Sequence, residues 1–211
     1  MPRNVERDAR ELARRKQRIA ETAFTLFAER SIESVLMTEI AEACEISEMT
    51  LYRHFASKDE LVVAVSKWAM DSFTRVNRRK SPEMTGTAAE TYALFLDSFL
   101  RMYREHSDIL RFNQYFNIYI KSRRVGAEQM QPYSGMIDAI RERFHAVYLC
   151  GQEDGTLRTD VAEEKMFSAT LHLMLAVVTR YAVGLAYETD VDPMEELTFQ
   201  RDMLLQAYTK Q

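Results

Sequence analysis

The stretch TEIAEACEISEMTLYRHFASKDEL, residues 38–61, decides the fold class of this chain. Thr38 can cap a short helix, and Ser47 can cap a second one that runs to about Phe55. Both helices are unusually short, and only a few residues join them. Two such helices braced by longer neighbours are typical of a helix-turn-helix, whose second helix can enter the major groove of DNA.

Longer helices are predicted on both sides of this pair. Residues 10–30 carry charge on one face and an apolar stripe on the other, at helical spacing. The stripe consists of Ile19, Ala23, Leu26 and Phe27. After the pair, Ser57 and Glu60 have the spacing of a capping box, and the fourth helix that follows should end near Ser81-Pro82 because proline cannot continue it.

The second half of the chain predicts five more helices, so we expect an all-α fold of about nine helices. Their expected bounds are 87–105, 107–122, 131–150, 161–187 and 193–209, with Gly151 just beyond the third of them. Only 6 Gly and 4 Pro occur in 211 residues, which also favours helices over turn-rich β structure. We predict a helix-turn-helix domain with a basic N-terminal arm at 1–57, a linking helix at 58–81, and a larger C-terminal helical domain at 82–211.

Charge is distributed unevenly along the chain. The formal net charge of −4 disfavours a nucleic-acid partner for the chain as a whole, because phosphate neutralisation supplies most nonspecific affinity. Residues 1–20, however, carry seven Lys or Arg against three Asp or Glu, whereas residues 21–60 carry three against nine. Any contact with DNA is therefore expected to be local.

The cysteines and the hydropathy pattern favour a cytoplasmic protein. Cys44 and Cys150 lie far apart inside apolar helical patterns, as reduced packing residues do. The charged N-terminus is unlike a secretory signal, and the longest apolar stretch, 171–187, contains His172 and Arg180. We therefore expect no membrane partner.

The predicted third helix places hydrogen-bonding side chains on its exposed side. At 100° per residue, Leu51 and Phe55 point inward. The side chains that point away or lie on the flanks are those of Met49, Thr50, Tyr52, Arg53 and His54.

These residues resemble the signature of the tetracycline-repressor (TetR) family. The resemblance rests on Ile40-Ala41-Glu42-Ala43, Ile46-Ser47, Thr50-Leu51-Tyr52-Arg53-His54-Phe55 and Ser57-Lys58-Asp59-Glu60-Leu61. It covers about residues 12–65, and residues 151–158 are similar to a segment common in the family's ligand domains. It implies a one-component transcriptional regulator whose helix-turn-helix binds double-stranded operator DNA and whose larger domain senses a small molecule.

The resemblance also implies a role for each exposed side chain of the helix-turn-helix. Thr50, Tyr52 and His54 would contact phosphates, Lys58 would do so at the start of helix four, and Arg53 would approach base edges, since arginine pairs well with guanine. The basic residues of helix one would hold the neighbouring backbone or minor groove. The complete predicted DNA-binding set is Arg14, Arg15, Lys16, Arg18, Thr38, Ser47, Glu48, Met49, Thr50, Tyr52, Arg53, His54 and Lys58. Taken singly, Tyr52 and His54 are better interpreted as ordinary surface groups and the basic N-terminus as a solvated helix face; together with the capping serines at this spacing, they favour DNA binding.

Four residues depart from the family pattern. Ser31 and Glu45 stand where glycine is usual in the turns, and a non-glycine residue in a left-handed turn costs about 1 kcal/mol. Glu48 and Met49 stand where small or basic residues are common. Glu48 can accept a hydrogen bond from a cytosine amino group or can lower nonspecific DNA affinity by repulsion, and we favour repulsion.

Aromatic residues recur at helical spacing on the first two helices of the C-terminal half. Packing is the ordinary role of such stripes. The TetR resemblance implies instead that helices of this domain enclose a ligand cavity, with Asn113, Asn117 and His145 as candidate polar anchors. The predicted ligand-binding set is Phe95, Phe99, Tyr103, Phe112, Asn113, Tyr115, Phe116, Asn117, Tyr119, His145 and Met174. We expect no cofactor and no metal.

Two stripes near the C-terminus follow a near-heptad rhythm and are candidates for a subunit interface. Packing within one chain is the alternative. The resemblance implies a homodimer with a four-helix interface made by two helices of each protomer, and twofold symmetry then implies a palindromic operator. The predicted interface residues are Phe167, Leu171, Met174, Val178, Tyr181, Leu185, Leu197, Arg201, Leu204 and Tyr208.

We therefore predict a dimeric repressor, without enzymatic activity, that a small molecule releases from DNA by tilting the fourth helix. Two alternatives remain open. One is a helical metal-binding enzyme, since Glu142 and His145 form a Glu-x-x-His step like those of di-iron bundles, although such sites need two steps. The other is a structural helical adaptor, which would explain the helices but not the Tyr52-Arg53-His54 cluster.

Overall fold

The computed structural model describes residues 5–80, 86–123, 126, 130–187 and 190–210. The helices that these residues form are α1 (Val5–Glu29), α2 (Met37–Ala43), α3 (Glu48–His54), α4 (Lys58–Lys80), α5 (Ala88–Arg123), α6 (Gln131–Asp154), α7 (Glu163–Ala182) and α8 (Pro193–Tyr208). Extended pairing within the described ranges is limited to a bridge between Leu157 and Thr209. The predicted all-α class is confirmed. None of the helices described has both the length and the apolar composition that a membrane span requires.

Helix α5 covers two of the predicted helices. His106 adopts φ −144° and ψ 41°, which are not helical values, so the chain kinks there before it continues to Arg123. The break lies where the sequence predicted it, between residues 105 and 107. The nine predicted helices and the eight described ones therefore differ mainly in how this kink is counted.

Helix α6 continues past the residue at which it was expected to end. The prediction that Gly151 follows the helix is wrong, because α6 runs to Asp154 and Gly155 then takes a φ of 72°. A β-carbon on Gly151 would lie 2.8 Å from the Cβ atom of Leu157, whose side chain is fully buried. Gly151 therefore lets the chain that follows α6 pack closely against the helix.

The chain divides into two compact units. Unit 1 holds the described residues of 1–75 and 112–133, and unit 2 holds those of 76–111 and 134–211. Helices α4 and α5 thus contribute residues to both units. The division predicted from the sequence placed 112–123 in the C-terminal domain.

An aromatic cluster forms the centre of unit 1. The ring of Phe112 on α5 lies 5.4 Å from that of Phe24 and 6.5 Å from that of Phe27, both on α1. Phe116 stacks on Phe112 at 5.8 Å, and Trp68 of α4 lies 5.2 Å from Phe24. Burying an aromatic side chain of this kind stabilises a fold by about 1.5–3 kcal/mol, so α1, α4 and the end of α5 are held together by one apolar core.

Unit 2 is built around Tyr92, which is fully buried. Its ring lies edge-on to the rings of Phe144 and Tyr208, each at 6.2 Å. Its hydroxyl shares a hydrogen bond of 2.8 Å with the Thr170 hydroxyl. Burial raises the pKa of Tyr92 well above its ordinary value, so the phenol stays protonated and its one buried polar group is satisfied.

The C-terminal residues of unit 2 pair with the segment that follows α6. The Arg158 N–H donates to the Tyr208 carbonyl at 2.8 Å, and the Lys210 N–H donates to the Thr156 carbonyl at 2.9 Å. The Arg158 guanidinium adds a bond of 3.3 Å to the Ala207 carbonyl. These bonds attach the end of α8 to the chain between α6 and α7.

Candidate nucleic-acid interface

The capping prediction for α3 is confirmed. Ser47 is the N-cap residue, and its hydroxyl oxygen accepts the Thr50 N–H at 3.2 Å. The Ser47 and Thr50 hydroxyls also lie 2.9 Å apart and share a hydrogen bond. Glu48 is exposed in the first turn, where its carboxylate complements the helix dipole.

The capping prediction for α2 is wrong. The helix begins at Met37 and its N-cap residue is Leu36, whose N–H donates to the Glu39 carboxylate at 2.6 Å. This bond, together with the Arg30 guanidinium, lowers the pKa of Glu39. Thr38 lies exposed in the first turn of α2. Leucine has no side-chain oxygen to cap the helix. The Glu39 carboxylate nevertheless accepts the Leu36 N–H, which is one of the two hydrogen bonds of a capping box.

The turn between α2 and α3 requires a left-handed residue. Glu45 has a φ of 56°, the single positive value among the described non-glycine residues. Its N–H donates to the Glu42 carbonyl at 2.9 Å, and the next N–H, of Ile46, donates to the Ala41 carbonyl at 3.0 Å. The turn therefore keeps its hydrogen bonds without glycine, at the cost of backbone strain at Glu45.

The outward face of α3 carries the predicted side chains. Leu51 and Phe55 are fully buried, whereas Met49 is 78% exposed. Tyr52 and Arg53 are also exposed, and Thr50 is half-buried. The predicted orientation of this helix is confirmed, so the phenol and guanidinium groups are available to a partner.

Basic residues of α1 lie near the C-terminal end of α3. The Lys16 ammonium lies 5.1 Å from the centre of the Phe55 ring and 3.9 Å from the Glu60 carboxylate. Arg15 makes a 2.5 Å bond to Glu11 on its own helix, and the predicted contacts Arg14 and Arg18 are exposed on α1. Arg15 and Lys16 of α1 therefore form a positive surface beside the C-terminal end of α3.

His54 is held neutral beside this positive surface. Burial, followed by the charges of Arg15, Lys16 and Arg53, lowers the pKa of His54. Its Nδ1 atom is buried and meets no hydrogen-bond partner among the described residues. A neutral imidazole can present one N–H to a phosphate at ordinary pH.

The Lys58 ammonium forms hydrogen bonds with backbone carbonyls of its own chain. Its ammonium donates to the Val35 carbonyl at 2.6 Å and to the Glu33 carbonyl at 3.4 Å. Burial, then the nearby Arg123, lowers the pKa of Lys58. At least two of its three donors are thus committed to the loop before α2, which sequence reasoning did not anticipate.

The predicted ligand-binding residues fall into both units. Phe112, Phe116 and Tyr119 are buried in unit 1, and Asn113, Tyr115 and Asn117 are half-buried there. Phe95, Phe99, Tyr103 and Met174 belong to unit 2. There the Phe95 ring lies 5.5 Å from Phe99 and 5.7 Å from Phe144, and Tyr103 lies 6.0 Å from Tyr181.

His145 lies on the surface of unit 2. Its Nδ1 atom is 3.0 Å from both carboxylate oxygens of Glu163 on α7. Within the ranges that the structure describes, no three His, Cys, Asp or Glu side chains converge as metal ligands would. The contact with Glu163 occupies the histidine of the Glu-x-x-His step.

The predicted dimer residues mostly face the interior of their own chain. Tyr181 donates its hydroxyl to Glu196, and Arg201 binds Asp97 with an Nε to Oδ1 distance of 2.8 Å. Leu185 is exposed but lies beyond the end of α7. Leu204 and Tyr208 are half-buried against the core of unit 2, and the fully packed residues are Phe167, Leu171, Met174, Val178 and Leu197. Their burial agrees with the alternative left open by the sequence, in which the two stripes pack within one chain.

Three large apolar side chains on the opposite faces of these helices were not predicted. Leu173 on α7 is 54% exposed, and Phe199 and Met203 on α8 are 66% and 56% exposed. Phe199 and Met203 are four residues apart and therefore share a helix face. The sequence signal for them was the presence of apolar residues on more than one side of each helix.

Three comparisons with known proteins bear on this site. Residues 19–65 match the family model for bacterial regulatory proteins of the tetR family. The chain is 25% identical over 190 residues to the HTH-type transcriptional repressor KstR2 of Rhodococcus jostii (strain RHA1), a match that covers 90% of this chain and 91% of that protein.

Solved structures share the fold. The ketosteroid transcriptional regulator KstR2 of Mycobacterium tuberculosis superposes with a TM-score of 0.68 at 20% identity, covering 93% of this chain and 96% of that one. The crystal structure of AibR in complex with isovaleryl coenzyme A and operator DNA also gives 0.68, at 19% identity, covering 90% and 98%.

A seven-residue helix with its polar side outward, joined by a tight turn to a second short helix, defines a helix-turn-helix protein. The match over residues 19–65 contains this entire element, and the relative that spans nine-tenths of the chain carries it too. Residues 19–65 of the chain thus form a helix-turn-helix of the kind found in bacterial regulatory proteins of the tetR family.

Proposed function

We propose that this protein is a dimeric transcriptional repressor of the cytoplasm that binds a palindromic operator and is released from it by a small molecule. The observation that carries the proposal is the orientation of α3. Leu51 anchors the helix in the core, while Tyr52 and Arg53 are exposed. Side chains of these types at a helix surface suit the edges and phosphates of a DNA major groove.

Each exposed group then has a distinct role. Arg53 reads a base edge, most favourably guanine, because its guanidinium matches the two acceptors of that base. Tyr52, Thr50 and His54 contact phosphates, and the basic residues 14–18 of α1 extend the phosphate contact. Glu48 stands on the same helix and lowers nonspecific affinity for DNA by repelling phosphate.

The dimer is formed through the uncovered faces of α7 and α8. Leu173, Phe199 and Met203 leave large apolar surface in water, and burial recovers about 25 cal/mol for each Å² covered. A second copy with the same faces is self-complementary under twofold symmetry. Recognition helices of such a dimer would lie about 34 Å apart, one turn of DNA.

The ligand binds in unit 2, where the aromatic side chains of α5 and α6 offer apolar contacts. Relatives of this fold include a ketosteroid regulator and a regulator in complex with isovaleryl coenzyme A. A ligand with a substantial hydrocarbon part fits the Phe95, Phe99 and Tyr103 side chains. Linkage requires that ligand and operator weaken each other's binding by the same factor, so equal ligand affinity with and without operator would contradict the release mechanism.

Selection of bound duplexes from a random pool tests the DNA-binding role. We expect enrichment of a palindrome, and Arg53→Ala should then weaken binding to it about tenfold to a hundredfold while relaxing base preference at one position of each half-site. Arg143→Ala, at an exposed arginine of α6, is the matched control and should bind as the unaltered protein does. Failure to enrich any sequence, or equal binding by the Arg53 variant, would contradict the proposal.

A further inference from the structure

Tyr119 makes an unusual contact for a residue of the aromatic stripe on α5. Its side chain is buried in unit 1, and its hydroxyl donates to the Asp59 carboxylate at 2.5 Å. Asp59 is the second residue of α4. Tyr119, which the sequence analysis assigned to ligand binding, therefore contacts α4, the helix that directly follows α3.

Further contacts surround this bond. The Arg123 guanidinium lies 3.8 Å from the same Asp59 oxygen and 5.6 Å from the centre of the Tyr119 ring. The Lys58 ammonium lies 5.9 Å from that ring while it donates to the Val35 carbonyl. Ser122 donates its hydroxyl to the Glu33 carboxylate at 3.2 Å.

These contacts hold both ends of the helix-turn-helix. Val35 comes two residues before α2 begins, so the bond from Lys58 fixes the entrance to α2. Only three residues separate the end of α3 from Lys58, so the position of the first turn of α4 also sets the exit from α3. The end of α5 is thereby attached to the chain on either side of the DNA-reading element.

Of the two contacts that α5 makes with the Asp59 carboxylate, the bond from the Tyr119 hydroxyl is the stronger. Exposed ion pairs such as Arg123 with Asp59 contribute little, because water screens them. A hydrogen bond from a buried hydroxyl to a carboxylate is charge-assisted and stronger than a neutral one. Burial, followed by the bond to Asp59, raises the pKa of Tyr119, so the hydroxyl remains a donor at physiological pH.

We infer that Tyr119 is a positioning residue for operator binding: its bond to Asp59 holds the first turn of α4, and with it the two ends of the helix-turn-helix, in the arrangement that reads DNA. The inference rests on the proposed function. It assigns to α5 a part in the DNA-binding unit that is separate from any contact with a ligand.

The test compares Tyr119→Phe with Tyr148→Phe. The first change removes the hydroxyl and keeps the buried ring, and the second removes the hydroxyl of a buried tyrosine of unit 2, which donates to the Val161 carbonyl at 2.8 Å. Hydrogen exchange of the amides of residues 58–62 is measured without DNA. Affinity for the selected operator and for random-sequence duplex is measured in parallel, and all four forms of an Asp59→Ala and Tyr119→Phe cycle are included.

We expect Tyr119→Phe to speed exchange at these amides and to weaken operator binding, each by about tenfold, the value of one charge-assisted bond. Affinity for random-sequence duplex should stay unchanged because no charge is altered. The double variant should bind operator no more weakly than the single variant with the lower affinity, and Tyr148→Phe should match the unaltered protein in both measurements.

Unchanged exchange in Tyr119→Phe would overturn the inference whether or not the protein binds DNA. Faster exchange with full operator affinity would overturn it as well, and so would an equal loss for operator and random duplex, since that result indicates general destabilisation. If the unaltered protein selected no operator, the proposed function would be contradicted. The hydrogen-exchange result would then decide by itself whether Tyr119 holds α4.

Discussion

Units 1 and 2 each leave a helix face uncovered, and the two faces differ in chemistry. The face of α3 presents a phenol and a guanidinium beside one exposed methionine. The faces of α7 and α8 present Leu173, Phe199 and Met203, each more than half exposed. Polar groups remain solvated until a partner arrives, whereas exposed apolar groups raise the free energy of the protein in water until they are covered. The comparison indicates a polyanion for the first face and a lasting protein contact for the second.

The largest effect is expected from Phe199→Glu. If the proposed dimer forms through this apolar face, a charge placed in the face would be buried against the second copy, so the dimer should dissociate. Because a dimer gains from binding two half-sites at once, the monomer should bind operator roughly a hundredfold more weakly or worse. Sedimentation velocity and operator titration measure the two effects.

Leu149→Glu provides the control for that change. Leu149 is an exposed leucine of α6, so the same kind of substitution is made away from α7 and α8. It should leave both the sedimentation coefficient and operator binding intact. A dimer that persisted in Phe199→Glu would show that the second face serves another partner.

The units also differ at two positions where the choice between glycine and a larger residue affects stability. Unit 2 places Gly151 inside α6, where the backbone is ordinary and space is lacking. Unit 1 places the exposed Glu45 in a turn where the left-handed backbone favours glycine. Two substitutions should therefore change stability in opposite directions.

Gly151→Ala should destabilise the protein by about 1–2 kcal/mol. Alanine in a helix gains up to about 1 kcal/mol over glycine, but overpacking costs about 1–3 kcal/mol, and a methyl group 2.8 Å from the Leu157 Cβ atom cannot rotate away. Urea denaturation measures the change. Gly135→Ala, also in α6 but with nothing within 4 Å, should be stabilising instead. Equal effects at the two glycines would refute the packing argument.

Glu45→Gly should stabilise the protein by about 1 kcal/mol because it relieves the left-handed strain. The melting temperature measures the gain. Glu42→Gly, three residues earlier inside α2, should lower the melting temperature by the usual helix penalty. A decrease at both positions would mean that Glu45 contributes a contact more valuable than its backbone strain.

The smallest effect concerns pH. The pKa of His54 is lower in the folded protein than its value of about 6.5 in an unfolded chain, so the unfolded state binds the proton more readily. Stability should therefore fall as the pH decreases below about 6.5. His54→Gln should flatten the dependence of the melting temperature on pH between 7 and 5.5, and an unaltered slope would indicate that His54 is not responsible.

The sequence predicted local features better than contacts distant along the chain. The Ser47 cap and the inward Leu51 follow from neighbours within one or two turns, so spacing alone was sufficient. The family resemblance implied a phosphate contact for Lys58, and nothing in the sequence indicated that its ammonium would bind the Val35 carbonyl, 23 residues earlier. The Thr38 cap failed for a local reason, since Glu39 can satisfy the Leu36 N–H in its place.

The faces of α7 and α8 were the hardest to assign. Leu171 and Leu173 are both apolar and only two residues apart, yet the first is buried and the second exposed. Periodicity identifies that a stripe exists, but it does not say whether the stripe meets its own chain or a partner. The aromatic spacing of Phe95 and Tyr119 along α5 was similarly uniform, although the two residues belong to different units.

The pairing of residues 156–158 with residues 208–210 has a practical consequence for handling this protein. A shortened version of this protein should therefore keep residues 208–210, because removing them would leave the backbone of Thr156 and Arg158 without its partners. Proteolysis within residues 208–210 would have the same effect, so mass spectrometry of the intact chain is a sensible check before any binding assay.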